Sequence, residues 1–168
     1  MVEDVTVLPA AVGEVFTQRA RLSEAEIRAF ANSVDDRNPL HHDRAFACAA
    51  GYPGVIASGT HVGSLLMAMT ASHFARPLAD GTPRNGLGIG FELRFRAVVL
   101  AEEDIDLRWA VTGLERKERL AGWICRLEGD ARSARGVLLS GTGTLLLRLG
   151  VPDAAASPPA AGARGTTP

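Results

Sequence analysis

Asp36, Asn38, His41 and Asp43 fall within eight residues, in the stretch DDRNPLHHD. Pro39 sits among them and bars a regular helix, because it fixes its own backbone, restricts Asn38 and removes an amide donor. A carboxylate and an imidazole on such a bent loop can approach one water or one substrate atom. Together they can take a proton from an oxygen and give one to a carbon. The competing reading is a hydrogen-bonded pair that only holds the loop. Asn38 before proline is equally a turn residue. Asp43 reads first as a helix cap and second as support for the pair.

Other chemistries find less in the chain. His41, His42 and Asp43 are adjacent, yet no HExxH run or third ligand at useful spacing accompanies them, so no metal is expected. Ile56-Ala57-Ser58-Gly59-Thr60 is not a nucleophile elbow. The alternating glycines Gly86, Gly88 and Gly90 open a strand rather than a helix, unlike a phosphate-binding loop. Cys48 and Cys125 lack metal or redox spacing and read as two buried free thiols in a reducing compartment.

The elements around the loop are legible. Val15–Arg21 can form a short strand. Ser23 with Glu26 is a capping box that opens a helix from Glu24 to Ser33, whose apolar stripe is Ile27, Phe30, Ala31 and Val34. Asp43 caps a second short helix through Ala50, and GYPG at 51–54 is a turn. Gly59–Phe74 is too short to span a membrane and reads as a helix buried all round, its small residues letting a neighbouring backbone come close. Beyond it the period changes to 2. Leu87, Ile89, Phe91, Leu93 and Phe95 alternate with polar residues or glycine, as do Ile105, Leu107, Trp109 and Val111. Further runs cover about 120–127 and 137–149, with polar turns at 100–104, 115–119 and 128–135. Four such strands predict an antiparallel meander, and the whole predicts an α+β fold in which a sheet wraps one long helix. Unpaired sheet edges make a homodimer the expected state.

The run Asp36-x-Asn38-Pro39-Leu40-His41-x-Asp43, with Ala47 after it, resembles the signature of MaoC-like dehydratases, the (R)-specific enoyl-CoA hydratases of the hot-dog fold. The spacing to Gly59 and the strand Phe95-Arg96-Ala97-Val98-Val99 agree, and the resemblance covers about residues 12–148. It implies a hydro-lyase, needing no cofactor, that interconverts trans-2-enoyl and (R)-3-hydroxyacyl thioesters of coenzyme A or an acyl carrier protein. By position it makes Asp36 and His41 the catalytic pair. Asn38, Gly59 and Thr60 become the substrate-binding positions, with the Gly59 amide facing the thioester oxygen. Such a helix N-terminal donor suits the enolate charge that develops there. Thr60 and Ser64 also fit plain capping or packing.

Departures from the pattern are Asp35 where the family often has glycine, Ser58 where many members have histidine, Ala97-Val98 in the proline region, and Glu102-Glu103 for a common Gly-Asp turn. Asp35 is expected to face solvent, and His42 to be exposed. His61 is expected in the core, with a site-facing role as the alternative. Trp109 and Trp123 read as sheet core or dimer surface. Arg84, Arg94 and Arg96 read as a solvated strand face, with contact to carrier phosphates as the alternative. Two other functions remain open on the same fold: an acyl thioesterase, and a catalytically silent acyl-binding subunit.

The chain as a whole agrees with an ordinary globular domain. It has 168 residues, 46% hydrophobic and 22% charged, with a net charge of −1. That near-neutral balance argues against general nucleic-acid binding. One domain is expected over 1–150, followed by a disordered Ala/Pro/Gly-rich tail at 151–168. The acidic first residues are unlike a signal peptide, so a cytoplasmic location is expected, without membrane attachment. Of 18 basic residues only Lys117 is lysine, a bias ascribed to codon usage.

Overall fold

A computed structural model of the chain describes residues 7–150, so the expected tail at 151–168 lies outside the described residues. The elements in chain order are β1 (Val15–Arg21), α1 (Glu24–Ser33), α2 (Arg44–Ala49), β2 (Ile56–Ala57), α3 (Gly59–Phe74), β3 (Arg84–Phe95), β4 (Val99–Leu100), β5 (Asp104–Lys117), β6 (Gly122–Ser133) and β7 (Gly136–Leu149). The five long strands form one antiparallel sheet in the order β1-β5-β6-β7-β3, and β2 pairs with β4 beside it. The four-strand meander is therefore corrected to three strands, β5-β6-β7. β3 pairs with β7 and the chain then crosses to β5. Alternation marks a strand but carries no information about which edge it joins.

The strands are also longer than the apolar runs suggest. β6 continues through Glu128, Asp130 and Arg132, which lie on the outer face while Leu127 and Ala131 stay buried. Charges at alternate positions are compatible with a half-buried strand. On β3 a register shift between Gly88 and Gly90 interrupts the alternation. Gly86 points inward, where a Cβ would meet Phe74 and Leu147 at 2.9 and 3.0 Å. Its neighbour Leu87 turns outward beside Leu146. An apolar series with period 2 thus changes face at the irregularity.

α3 lies across the inner face, with Val62, Leu66, Met69 and Phe74 buried against Leu107, Trp109, Leu127, Leu145 and Leu147. Trp109 belongs to this core, and its indole Nε1–H donates to the Leu66 carbonyl at 2.8 Å. Gly129 makes room for the indole, since a Cβ there would collide with it. Removing a core side chain such as Leu66 would cost about 2–5 kcal/mol. The helix is not buried all round: Thr60, Ala68, Ala71 and Ser72 are exposed. What approaches its glycines closely is side chain rather than backbone. A Cβ on Gly59 would strike the Phe95 ring at 2.7 Å, and one on Gly63 would strike Leu93 at 2.7 Å.

At the far end of α3, the Arg84 side chain is buried instead of lying on a solvated face. It donates to the carbonyls of Arg76 and Pro9 at 3.0 and 2.5 Å and lies over the Phe74 ring. Glu14 joins it by accepting from His73 at 2.7 Å. Burial would raise the Glu14 carboxyl, but the Ala11 amide, His73 and Arg84 outweigh it and hold the group below its ordinary value. Cys125 is buried here, and burial pushes its thiol up to about 12; Cys48, by contrast, is exposed. The shared role of two buried thiols is corrected to one.

Among the described residues, three that are not glycine have left-handed backbone: Asp35, Glu102 and Ala121. Ala121, at φ 46° in the β5–β6 connection, has no polar side chain to compensate. Glycine at that position should raise stability by a few tenths to about 1 kcal/mol, the steric relief exceeding the extra chain entropy. A thermal melt of Ala121→Gly checks this; a lower melting point would contradict it.

Candidate active site

The end of α1 sets the position of Asp36. The Asp35 amide donates to Asn32 and the Asp36 amide to Ala31, at 3.2 and 2.9 Å. This is a Schellman closure with Asp35 at the left-handed position that glycine normally takes. Asp35 itself faces solvent, paired with Arg37 at 2.6 Å. The Asp36 carboxylate then accepts the Asn38 amide at 3.0 Å, and Asn38 accepts the Leu40 amide at 3.2 Å, capping a single 3-10 turn at Pro39–His41. Asp43 caps α2 through the Phe46 amide at 3.0 Å.

His41 is buried, and its Nδ1–H donates to the Ile56 carbonyl at 2.7 Å. That bond fixes the hydrogen on Nδ1 and leaves Nε2 as the ring nitrogen that accepts whenever the ring is uncharged. It faces the Asp36 carboxylate at 3.6 Å, with the carboxylate partly open to solvent. Two acceptors at that distance do not bond to each other. They can both accept from one water or hydroxyl placed between them.

The sequence places His42 on the surface. Instead it is half-buried, and its Nε2–H donates to the Asp36 carbonyl at 2.6 Å. Arg28 donates to the His42 carbonyl at 2.9 Å and to Glu24 at 3.0 Å, and Glu24 also accepts from Arg44 at 2.5 Å. Glu24 thereby ties α1 to α2 around the loop. The only sequence signal for this brace is that His42 adjoins the motif.

The same cavity, about 600 Å³, contains Asp36, Asn38, His41, Gly59 and Thr60 in its walls. All five candidate residues thus come together. Ser58 caps α3 by accepting the His61 amide at 3.2 Å, and its hydroxyl meets that of Thr60 at 2.9 Å. The Gly59 and Thr60 amides lie in the first turn, where a helix supplies no acceptor. Phe95, Arg96, Val98 and Leu138 close the cavity opposite; sequence reasoning does not place the first of these over Gly59. His61 does not line it. It stacks on Phe30 at 4.2 Å, and its buried Nδ1 has no partner among the described residues. Burial lowers its pKa, the Glu26 charge opposing. Trp123 lies in the sheet under the Arg116 guanidinium, at 4.4 Å.

Known proteins share this fold. A family model, "MaoC like domain", matches residues 8–123. The chain belongs to the MaoC-like domain family. The (R)-specific enoyl-CoA hydratase of Aeromonas caviae is 31% identical over 126 residues, or 71% of this chain and 88% of that protein. The solved structure of an A. caviae (R)-hydratase involved in PHA biosynthesis matches with a TM-score of 0.69 at 23% identity, covering 81% of this chain and 96% of that one. A MaoC-like dehydratase from Rhodospirillum rubrum matches with a TM-score of 0.66 at 27% identity, covering 83% and 93%. The fold of this MaoC-like chain is the hot-dog fold, a sheet against one long helix. Among the described residues no helix is long and apolar enough to cross a membrane.

One wall of the cavity is held by an ion pair. Glu103 accepts from Arg135 at 2.8 and 2.7 Å and from the Leu100 amide at 3.1 Å, while Arg135 also donates to the Val98 carbonyl at 2.7 Å. Burial would raise the Glu103 carboxyl, but Arg135, Ser133 and the Leu100 amide together lower it from 4.5 to about 2. Its folded value is below the ordinary one. The stabilisation is therefore complete above 4.5 and disappears as pH falls toward about 2. Glu103→Gln should be less stable than the parent near neutral pH, and the gap should close across that window in denaturant titrations at stepped pH. A gap that does not change with pH would show that the ion pair contributes nothing.

Proposed function

We propose that this MaoC-like protein is a hydro-lyase that interconverts trans-2-enoyl and (R)-3-hydroxyacyl thioesters without a cofactor. The observation that carries the reading is the pairing of the Asp36 carboxylate with His41 Nε2 at 3.6 Å, in one cavity with the first residues of α3. In the hydration direction a water donates to both acceptors. Its oxygen bonds to C3 as the C2–C3 π electrons move toward the thioester, and the oxyanion meets the Gly59 amide. The pair takes one proton from the water oxygen and returns one to C2, so it ends as it began. Thr60 and Asn38 shape the approach. An amide aimed at a developing oxyanion contributes about 3–4 kcal/mol to such a barrier. A thioesterase would use the water at the carbonyl carbon and release free thiol, and a silent subunit would do neither.

Crotonyl-CoA should lose its enoyl absorbance with this protein, without thiol release. Asp36→Asn and His41→Ala should each slow the reaction at least about a hundredfold, the usual scale of acid–base groups. Folded variants that keep the parent rate would refute the site, and thiol release in place of hydration would transfer it to a thioesterase.

The working form in this reading is a homodimer. β3 is an edge strand, and Leu87, Ile89 and Phe95 on it are 60%, 53% and 56% exposed in the single chain. The exposed residues of α3 carry no charge. An apolar edge beside an uncharged helix face is self-complementary in a two-fold pairing. Ile89→Arg should shift the mass measured by light scattering from two chains toward one; a monomeric parent would exclude the dimer. Cytoplasmic location and the use of a carrier-protein thioester as an alternative substrate belong to the same proposal.

A further inference from the structure

Three arginines flagged by the sequence have separate fates. Arg84 is spent on backbone carbonyls at the far end of α3. Arg94 is committed to Glu92 by two bonds, at 3.1 and 2.7 Å. Among the described residues, the Arg96 side chain bonds only to the Ser140 hydroxyl, at 3.3 Å. It lines the acid–base cavity and also a depression of about 770 Å³ on the outer sheet face, so the two spaces share it as a boundary. Arg108 lines that same depression. It stands opposite Asp130 in register, but the Asp130 carboxylate is held by Arg132 at 2.9 and 3.4 Å. Arg96 and Arg108 are thus guanidinium groups of this depression with no carboxylate bonded to them among the described residues. Asp130 and Ser140 follow Arg108 in register, so Arg108 and Ser140 are separated by two strand spacings, about 10 Å.

We propose that Arg96, assisted by Arg108, binds the pyrophosphate of a coenzyme A thioester as its carrier arm leaves the cavity and crosses onto the outer sheet face. The assignment rests on the hydro-lyase reading of the cavity. Guanidinium forks suit phosphate oxygens in geometry and charge. A compact pyrophosphate can meet these two groups singly. An acidic carrier-protein surface would instead confront Glu92, Glu128 and Asp130 in the same depression.

The test compares crotonyl-CoA with the crotonyl thioester of N-acetylcysteamine, which has no phosphate, on the parent and on Arg96→Gln. The preference for the coenzyme A ester in kcat/KM should fall about tenfold, as for loss of one charge-assisted contact, and the loss should appear in KM rather than kcat. Arg96→Lys should restore part of it. An unchanged preference overturns the proposal, as does a carrier-protein ester whose KM alone responds to Arg96. Calorimetric binding of free coenzyme A and of pantetheine measures the phosphate contact independently of turnover. The parent should favour coenzyme A and Arg96→Gln should lose that margin; equal affinity in the parent overturns the phosphate site. A parent that hydrates neither ester refutes the hydro-lyase reading, and the binding comparison still decides for or against the phosphate site.

Discussion

The bond from His41 Nδ1–H to the Ile56 carbonyl is the interaction on which the candidate site depends. It selects the tautomer and turns Nε2 toward Asp36. It also joins two stretches of chain that must act together. Ile56 is in β2, and β2 runs directly into Ser58 and the first turn of α3. One hydrogen bond therefore fixes the imidazole relative to the start of α3, where Gly59 and Thr60 line the same cavity. Because it is buried, breaking it would leave a carbonyl without a partner, at a cost of about 1–3 kcal/mol. β2 in turn is held by β4, and the chain beside β4 is anchored by Glu103 and Arg135. The geometry of the Asp36–His41 pair is thus supported from a strand pair only two residues long and from a salt bridge beyond it.

The second constraint is the closeness of β3 to α3. Gly59 and Gly63 let Phe95 and Leu93 rest on the helix. A larger residue at 59 would move the ring that closes the cavity. Glycine there admits the ring, which no side chain at that position would allow. The exposed edge of β3 has another origin: the strand ends the sheet, with β7 on one edge and no strand on the other among the described residues.

Much of this is legible in the residues. The capping box at Ser23, the cap at Asp43 and the limits of the helix at 59–74 are set by local chemistry, and the structure has them where the residues put them. The motif brings Asp36, Asn38 and His41 to one place because Pro39 and two side-chain caps leave the loop few alternatives. What is not legible depends on long-range pairing. Nothing local to β3 says that it joins β7, and the change of face at Gly88–Gly90 is invisible to a count of alternating residues. Arg84 looks like any strand arginine until Pro9 and the end of α3 are brought around it. His42 turns its ring back onto the Asp36 carbonyl, while Arg28, from the preceding helix, reaches its own carbonyl.

Two departures from the family pattern acquire a common physical meaning. Asp35 and Glu102 stand where relatives often have glycine, and both have left-handed backbone, φ 55° and 59°. Each therefore carries strain that glycine would avoid. Each also has an ion-pair partner that glycine could not have: Arg37 for Asp35 and Arg21 for Glu102. These pairs are exposed and screened by solvent, so they offset the strain only in part. The placement explains why the strain is tolerated. Asp35 is fixed by the Schellman closure that positions Asp36, and Glu102 donates its amide to Leu22 at 2.7 Å, just before Glu103 meets Arg135. In both places the turn is over-determined by its neighbours, so the identity of the turning residue affects stability while the carboxylates that follow it stay in position.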